Sequence, residues 1–353
     1  MGPIRDGHID NPKEARMVTI KDISKKCGVS PSTVSKALNG YDDIGEETAQ
    51  MIRAVAQELG YRPNAAALAL KTNRSNNLGV LFVDAMRSGL AHDYFSLILN
   101  SFKDEAERRG YDITFISQNI GGAKMSYYEH SNYRRCDGVV IASVDFTDPA
   151  VLELVNSEIP TVTIDHVFDS RTAILSDNVQ GARDLVCHAH AMGHRRIAFI
   201  HGELTSVTTK RLAGFHKACA ELGISVPEGY VVPARYHDPR ASALATQKLL
   251  KHRERPSVIL YPDDFSFLGG MTVIEKAGLS IPEDISVIGY DGIQLSQVLR
   301  PRLTTMKQDT EALGRLAAAN LVENIESPKT WFPHQVLVPA ELVEGGSVQK
   351  IGA

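Results

Sequence analysis

Seven short apolar runs, separated by helix-sized stretches, set the tightest limit on what this 353-residue chain can fold into. They are LGVLFV (78–83), DITFI (112–116), GVVIA (138–142), TVTI (161–164), RIAFI (196–200), SVILY (257–261) and ISVIGY (285–290). Runs of this length, rich in Val and Ile and lacking polar alternation, are strands of a parallel sheet covered on both faces. Two such series within about 265 residues predict two doubly wound α/β lobes. Ligands in such folds bind beyond the carboxyl ends of the strands, so a cleft between the lobes is the expected site.

The length predicts two or three folding units. With 43% hydrophobic and 23% charged residues, the chain can bury sizeable cores. Its net charge of −4 hides an asymmetry. From Met17 to Arg74 there are eight Lys/Arg against six Asp/Glu, a net of +2, while residues 1–16 sum to zero and everything after Arg74 carries about −6. A mildly basic front on an acidic body fits a small DNA-binding head. Cys27, Cys136, Cys187 and Cys219 are scattered without metal-ligand spacing, as expected of reduced thiols in a cytoplasmic protein. No apolar run approaches the ~18 residues of a membrane span. MGPIRDGHIDNPKEAR has no apolar h-region and reads as a disordered extension (1–16) rather than a signal peptide.

Residues 17–62 read as three helices. Thr19 with Asp22 makes a capping-box start, and Gly28 ends the first helix in a left-handed conformation. Ser30 caps a second helix that has Pro31 at its first position. A third helix from about Glu46 to Leu59 packs through Met51, Ile52, Val55 and Leu59. Small hydroxyl residues and one long cation at the start of the second helix suit entry into a major groove, where bulk would hold the helix off the base edges. From periodicity alone, a plain three-helix scaffold with solvated Ser and Thr stays open.

TIKDISKKCGVSPSTVSKALNG and EETAQMIRAVAQELGYRPNAAALAL closely resemble the headpiece of the lac repressor family (LacI/GalR-type transcriptional regulators). The resemblance implies an all-α helix–turn–helix in which Pro31, Ser32 and Lys36 read bases. Thr19, Ser30, Thr33, Ser35 and Asn39 would hold the DNA backbone. Ser24 and Cys27 stand where alanine is usual, and Gly45 where a capping Ser is common. Residues 63–77 would be a hinge helix and linker, too short to be stable alone in water and ordered only on the operator. Leu70 would wedge into the minor groove. The family usually has Arg at the position of Leu68; a polar linker is the plainer alternative.

GHRRIAFI (193–200), RLAGF (211–215), IPEDISVIGYD (281–291) and RPRLTTM (300–306) resemble the effector domain of the same family, which shares its fold with periplasmic sugar-binding proteins. The resemblance implies a two-lobed periplasmic-binding-protein-like domain over 78–345. The N-lobe would take about 78–178 and 308–330, the C-lobe about 179–304 and 334–345. One crossover would lie near Leu303–Met306, and 346–353 would be a tail. Sugar recognition needs planar bidentate partners for hydroxyls and an aromatic wall. Arg211 matches the family's ligand-gripping arginine and Asp291 its ligand carboxylate. Asp264 sits where the family has an acid, and Asp263 where it commonly has Asn, which puts the usual ligand class in question. Tyr94, Phe95 and Tyr236 are expected wall residues; Asp84, Asp165 and Asn178 are weaker candidates.

No GxGxxG, GxxxxGK[ST], GxSxG or HExxH is present, so neither an enzyme nor a cofactor is expected. His188 and His190 point to different faces of one helix, so with His194 they predict no metal. The chain therefore reads as a cytoplasmic DNA-binding repressor of carbohydrate-utilisation genes, with no membrane partner. It would bind a pseudo-palindromic double-stranded operator as a homodimer, nucleoid-associated when bound, and respond to a sugar-like small molecule. Faces near Tyr94–Phe102 and Phe267–Met271 are the expected dimer contacts; without leucine heptads, a dimer is favoured over a tetramer. The alternatives are a nucleobase, nucleoside or partner protein as effector, or a stand-alone sugar-binding protein.

Overall fold

The computed structural model describes residues 17–62, 74–83 and 89–352. The expectations for the N-terminal extension, the hinge helix with Leu70, and Asp84 lie outside the described residues. The chain divides into one compact unit up to Ser75 and a second from Asn76.

In the first unit, α1 (Ile20–Cys27), α2 (Pro31–Leu38) and α3 (Glu46–Glu58) enclose a small core of Ile23, Val34, Ala37, Ala49, Ile52 and Ala56. The punctuation is local. Thr19 donates to the Asp22 carboxylate through its backbone N–H at 2.8 Å and its hydroxyl at 2.7 Å. Gly28 takes φ +68°, and the Ser30 hydroxyl accepts from the Thr33 N–H at 3.1 Å. Ser24, where alanine was usual, donates to the Val29 carbonyl across the turn at 2.6 Å. Met51, expected on the packing face, is 43% exposed. Ile52, Val55, Ala56 and Leu59 already form the i, i+3, i+4, i+7 stripe, and Met51 falls one step outside it.

The second unit holds two six-stranded sheets. In the first, β1 (Asn77–Phe82), β2 (Asp112–Phe115), β5 (Gly138–Ala142), β6 (Thr161–Ile164), β7 (Thr172–Ser176) and β13 (Gln335–Val338) run parallel in the order β13-β7-β6-β5-β1-β2. In the second, β8 (Ile197–His201), β9 (Val231–Pro233), β10 (Val258–Leu260), β11 (Ser286–Asp291), β12 (Thr304–Gln308) and β14 (Ala340–Val343) run β14-β12-β11-β10-β8-β9, with only β14 antiparallel. A separate hairpin, β3 (Asn119–Ile120) with β4 (Ala123–Lys124), lies between β2 and β5.

Three sequence expectations are corrected. Gln335–Val338, placed in the C-lobe, pairs with Thr172–Ser176 and completes the first sheet. The crossover near Leu303–Met306 falls later, because Thr304–Lys307 pairs with Ile288–Asp291 inside the second sheet. The tail from 346 is built into the C-lobe: Ser347 exchanges backbone and side-chain hydrogen bonds with Val287 and Thr304, and Val348 joins the core.

α4 (Asp93–Arg108) and α12 (Thr310–Glu326) cover the first sheet side by side, burying Ile98, Phe102, Leu313, Ala317 and Leu321. Gly314 lets the two backbones approach; a Cβ there would strike the Ile98 carbonyl. On the second lobe, α7 (Asn178–Ala191) packs beside α8 (Ser206–Glu221), and α9 (Pro239–Leu250) beside α10 (Phe267–Lys276).

Candidate effector site and DNA-binding face

On α2, Ser30, Pro31 and Ser32 are exposed, with Thr33 and Ser35 half-buried behind them. The Ser30 and Thr33 hydroxyls are 2.9 Å apart. Lys36 pairs with Asp43, and Asn39, exposed at the end of the helix, donates to the Ser35 carbonyl at 2.6 Å. The helix therefore presents small polar groups at its start and a cation one turn on, the inventory that major-groove reading uses.

Between the lobes, Asp165 and Asp291 at the carboxyl ends of β6 and β11 meet Tyr94 of α4, Arg211 of α8 and Tyr236 of the loop after β9. Arg211, only 4% exposed, donates from Nε to Asn178 Oδ1 at 2.7 Å and from one terminal nitrogen to the Pro262 carbonyl at 2.8 Å. Its guanidinium lies 3.4 Å from the centroid of the Tyr290 ring and 3.8 Å from Asp291 Oδ1. Burial works against its charge, but the oxygens around it, Asp291 among them, more than compensate and its pKa rises. Asn178, expected to touch ligand, instead orients this arginine while tethered to the Ser176 carbonyl.

Asp291 accepts from Gln308 Nε2 at 2.7 Å. Burial pushes its carboxyl up to about 7 against the pull of Arg211. The Tyr94 hydroxyl sits 3.2 Å from Gln308 Oε1 and 3.3 Å from Asp165 Oδ2, and burial raises both the phenol and the Asp165 carboxyl. The Ser176 N–H donates to Asp165 Oδ1, and the Ser206 hydroxyl reaches over from the other lobe to the Asp165 carbonyl at 2.8 Å. Tyr236 lies against Gly202, where any Cβ would clash with its ring, and shares a 2.8 Å hydrogen bond with Thr208. Asp165 and Asp291 hold φ of +60° and +97° at the ends of β6 and β11, strained conformations of the kind that cluster at functional sites.

Asp263 and Asp264, expected as effector contacts, turn their carboxylates onto groups of the second lobe. Both are buried, at 4% and 0% exposure, and a carboxylate taken out of water must fill its lone pairs from within. Asp263 accepts from the Ser266 N–H and hydroxyl, both at 2.7 Å, and from the His237 N–H at 2.9 Å. Asp264 accepts from Thr305 at 2.6 Å and from the Ile293 N–H at 3.0 Å, and its pKa stands well above the usual range because of burial. Phe95 is half-buried against Phe82, His92 and Tyr94 rather than lining the cleft alone. Sequence reasoning missed Gln308 and Tyr290, the bridge and floor of the site. Their signal was position: Tyr290 immediately precedes Asp291, and Gln308 ends the neighbouring strand.

His194 is spent on Ser257 and the Gln349 carbonyl, and no group of three or more metal-ligating side chains occurs among the described residues. No helix among them is long and apolar enough to cross a membrane.

Residues 19–64 match the family described as bacterial regulatory proteins, lacI family, and residues 186–348 match a periplasmic binding protein-like domain. A transcriptional repressor of Pectobacterium carotovorum, PurR, is 31% identical over 94% of this chain and 97% of its own length. The chain belongs to the lacI family. A probable repressor of Bacillus subtilis, ExuR, is 32% identical over 95% of this chain and 99% of its own. The structure of the lac repressor dimer bound to operator and the anti-inducer ONPF superimposes with a TM-score of 0.78 at 28% identity, covering 95% of this chain and all of that one. The protein is thus a lacI-family DNA-binding transcriptional repressor, and its relatives are repressors rather than enzymes.

Proposed function

We propose that this repressor binds its operator as a homodimer and is controlled by a neutral sugar held between its lobes, so that it governs carbohydrate-utilisation genes in the bacterial cytoplasm. The observation that carries the effector class is the loose Arg211–Asp291 pair. At 3.8 Å it is too long for a hydrogen bond, and Arg211 spends only two of its five N–H donors on Asn178 and Pro262. A vicinal diol bridges such a pair, donating to the carboxylate and accepting from the guanidinium. Asp165 and Asp291 outnumber the one arginine, which favours a donor-rich neutral ligand over an anion. Aromatic faces at Tyr236 and Tyr94 supply the wall.

Lobe closure around that ligand would alter the spacing of two headpieces and so operator affinity. On the expected dimer faces, α4 spends Tyr94, Ile98, Leu99 and Phe102 inside its own lobe, leaving Leu97, while Met271 is half-buried on α10. A nucleobase is the second reading, favoured by the aromatic side chains around Phe95. Two measurements decide. The full chain should bind a duplex carrying a ~14–20 base-pair palindrome with a steep salt dependence; equal affinity for scrambled duplexes overturns the repressor assignment to these α2 residues. In a thermal-shift screen, a neutral sugar should raise Tm for the wild type and not for Arg211→Ala. A shift with nucleobases alone replaces the sugar reading.

A further inference from the structure

Three rings form a continuous stack across the interlobe cleft. His92 stands just before the first residue of α4 on the first lobe, while His237 and Phe265 stand on loops of the second. His92 and His237 have centroids 4.1 Å apart with planes inclined by 18°; His237 and Phe265 are 4.0 Å apart and inclined by 13°. On the far side, the edge contact of His92 with Phe95 at 4.9 Å continues the series into the first lobe's core.

The middle ring is held there at a cost. His237 has φ of +54°, the left-handed region in which a side chain with a Cβ is disfavoured. What fixes it is Asp263, the acid standing where an amide was the sequence expectation. Among the described residues, the hydrogen bonds to this carboxylate come from three donors: the Ser266 N–H, the Ser266 hydroxyl and the His237 N–H. An amide would turn an NH2 group toward one of them. The Ser266 hydroxyl also accepts from the Asp238 N–H at 3.1 Å, so the loop is pinned on both sides of Asp263.

We propose that His237 is a specificity-determining clasp. Its imidazole fills the slot between His92 and Phe265, joins the lobes through the chain's own ring, and excludes flat heteroaromatic ligands from that slot, with Asp263 as its positioning residue. The inference rests on the interlobe cleft being the effector site, and it assigns Asp263 a reason to be an acid that does not involve the ligand.

The test uses the full chain with free imidazole and adenine as probes. Wild type should show no thermal shift with either at millimolar concentration. His237→Gly removes the ring and relieves the left-handed backbone, so the variant should fold. It should expand measurably in small-angle scattering, and gain a thermal shift of several degrees with imidazole or adenine as the free ring enters the gap. His237→Phe should keep the compact scattering profile and refuse both probes. Asp263→Asn should resemble His237→Gly in scattering while retaining its ring. Wild-type stabilisation by adenine overturns the proposal, as does a His237→Gly protein that stays compact and takes up neither ring. If these ring results fail while operator binding and the sugar response persist, only the clasp is lost. If wild type ignores every sugar yet His237→Gly takes up the rings, the clasp stands and the effector reading falls.

Discussion

The Lys36–Asp43 pair shows how one residue can hold a DNA-reading side chain in reserve. Both partners are about half exposed, and exposed pairs contribute at most ~1 kcal/mol. Asp43→Asn should therefore tighten operator binding a few-fold at low salt, an effect that fades as salt is raised; a titration at two ionic strengths checks it. Lys36→Ala should cost about 1–3 kcal/mol at one base position per half-site if Lys36 reads a base. A loss spread evenly over all sequences would make it a phosphate contact. Asp291 carries a pH signature. Its folded carboxyl is raised from 3.8 to about 7, so between those values the folded state holds a proton that the unfolded chain has released. Stability contributed by this group is lost as pH rises through that window. Asp291→Asn should flatten the fall in Tm between pH 4 and 7; parallel wild-type and variant slopes would refute the assignment. At this scale the sequence pointed to Asp165 and Asp291 by their strand ends and to Arg211 by its place in RLAGF on α8, and the fold brings the three side chains near one another. Sequence reading did not foresee the partners of Asp263 and Asp264, because which oxygens meet donors depends on loops far apart in the chain.

Among elements, the caps were the most legible, since Ser30, Pro31 and Gly28 act on their own neighbours. Losing the Ser30 cap should show it: Ser30→Ala leaves the Thr33 N–H without its acceptor and should cost the headpiece about 1 kcal/mol, read as a lower Tm of isolated residues 17–62. The seven apolar runs all became strands. Besides the β3–β4 hairpin, five further strands of the two six-stranded sheets did not announce themselves. β12 reads TTMKQ, with Lys307 exposed and Gln308 turned to Asp291, and β9 is three residues long. β7, TAILS, is fully buried but opens and closes on hydroxyl residues. β13 and β14 follow one another directly yet enter different sheets, a choice fixed by partners rather than by their own composition.

At the scale of the whole molecule, the headpiece core and the effector-domain cores share no residues. Two independent unfolding transitions are expected in calorimetry, and a saturating sugar should move only the one that belongs to residues 76–353. A single merged transition shifted as a unit would mean that the two units are energetically coupled. Within the effector domain, the chain passes from one sheet to the other between Ser176 and Asn178, back between Gln308 and Thr310, and over again between Val338 and Ala340. This threefold passage has a genetic consequence. A stop codon anywhere from 310 to 335 removes β13 from one lobe and β14 from the other, so no truncated allele keeps a single intact lobe, and nonsense mutations throughout that stretch should share one derepressed phenotype.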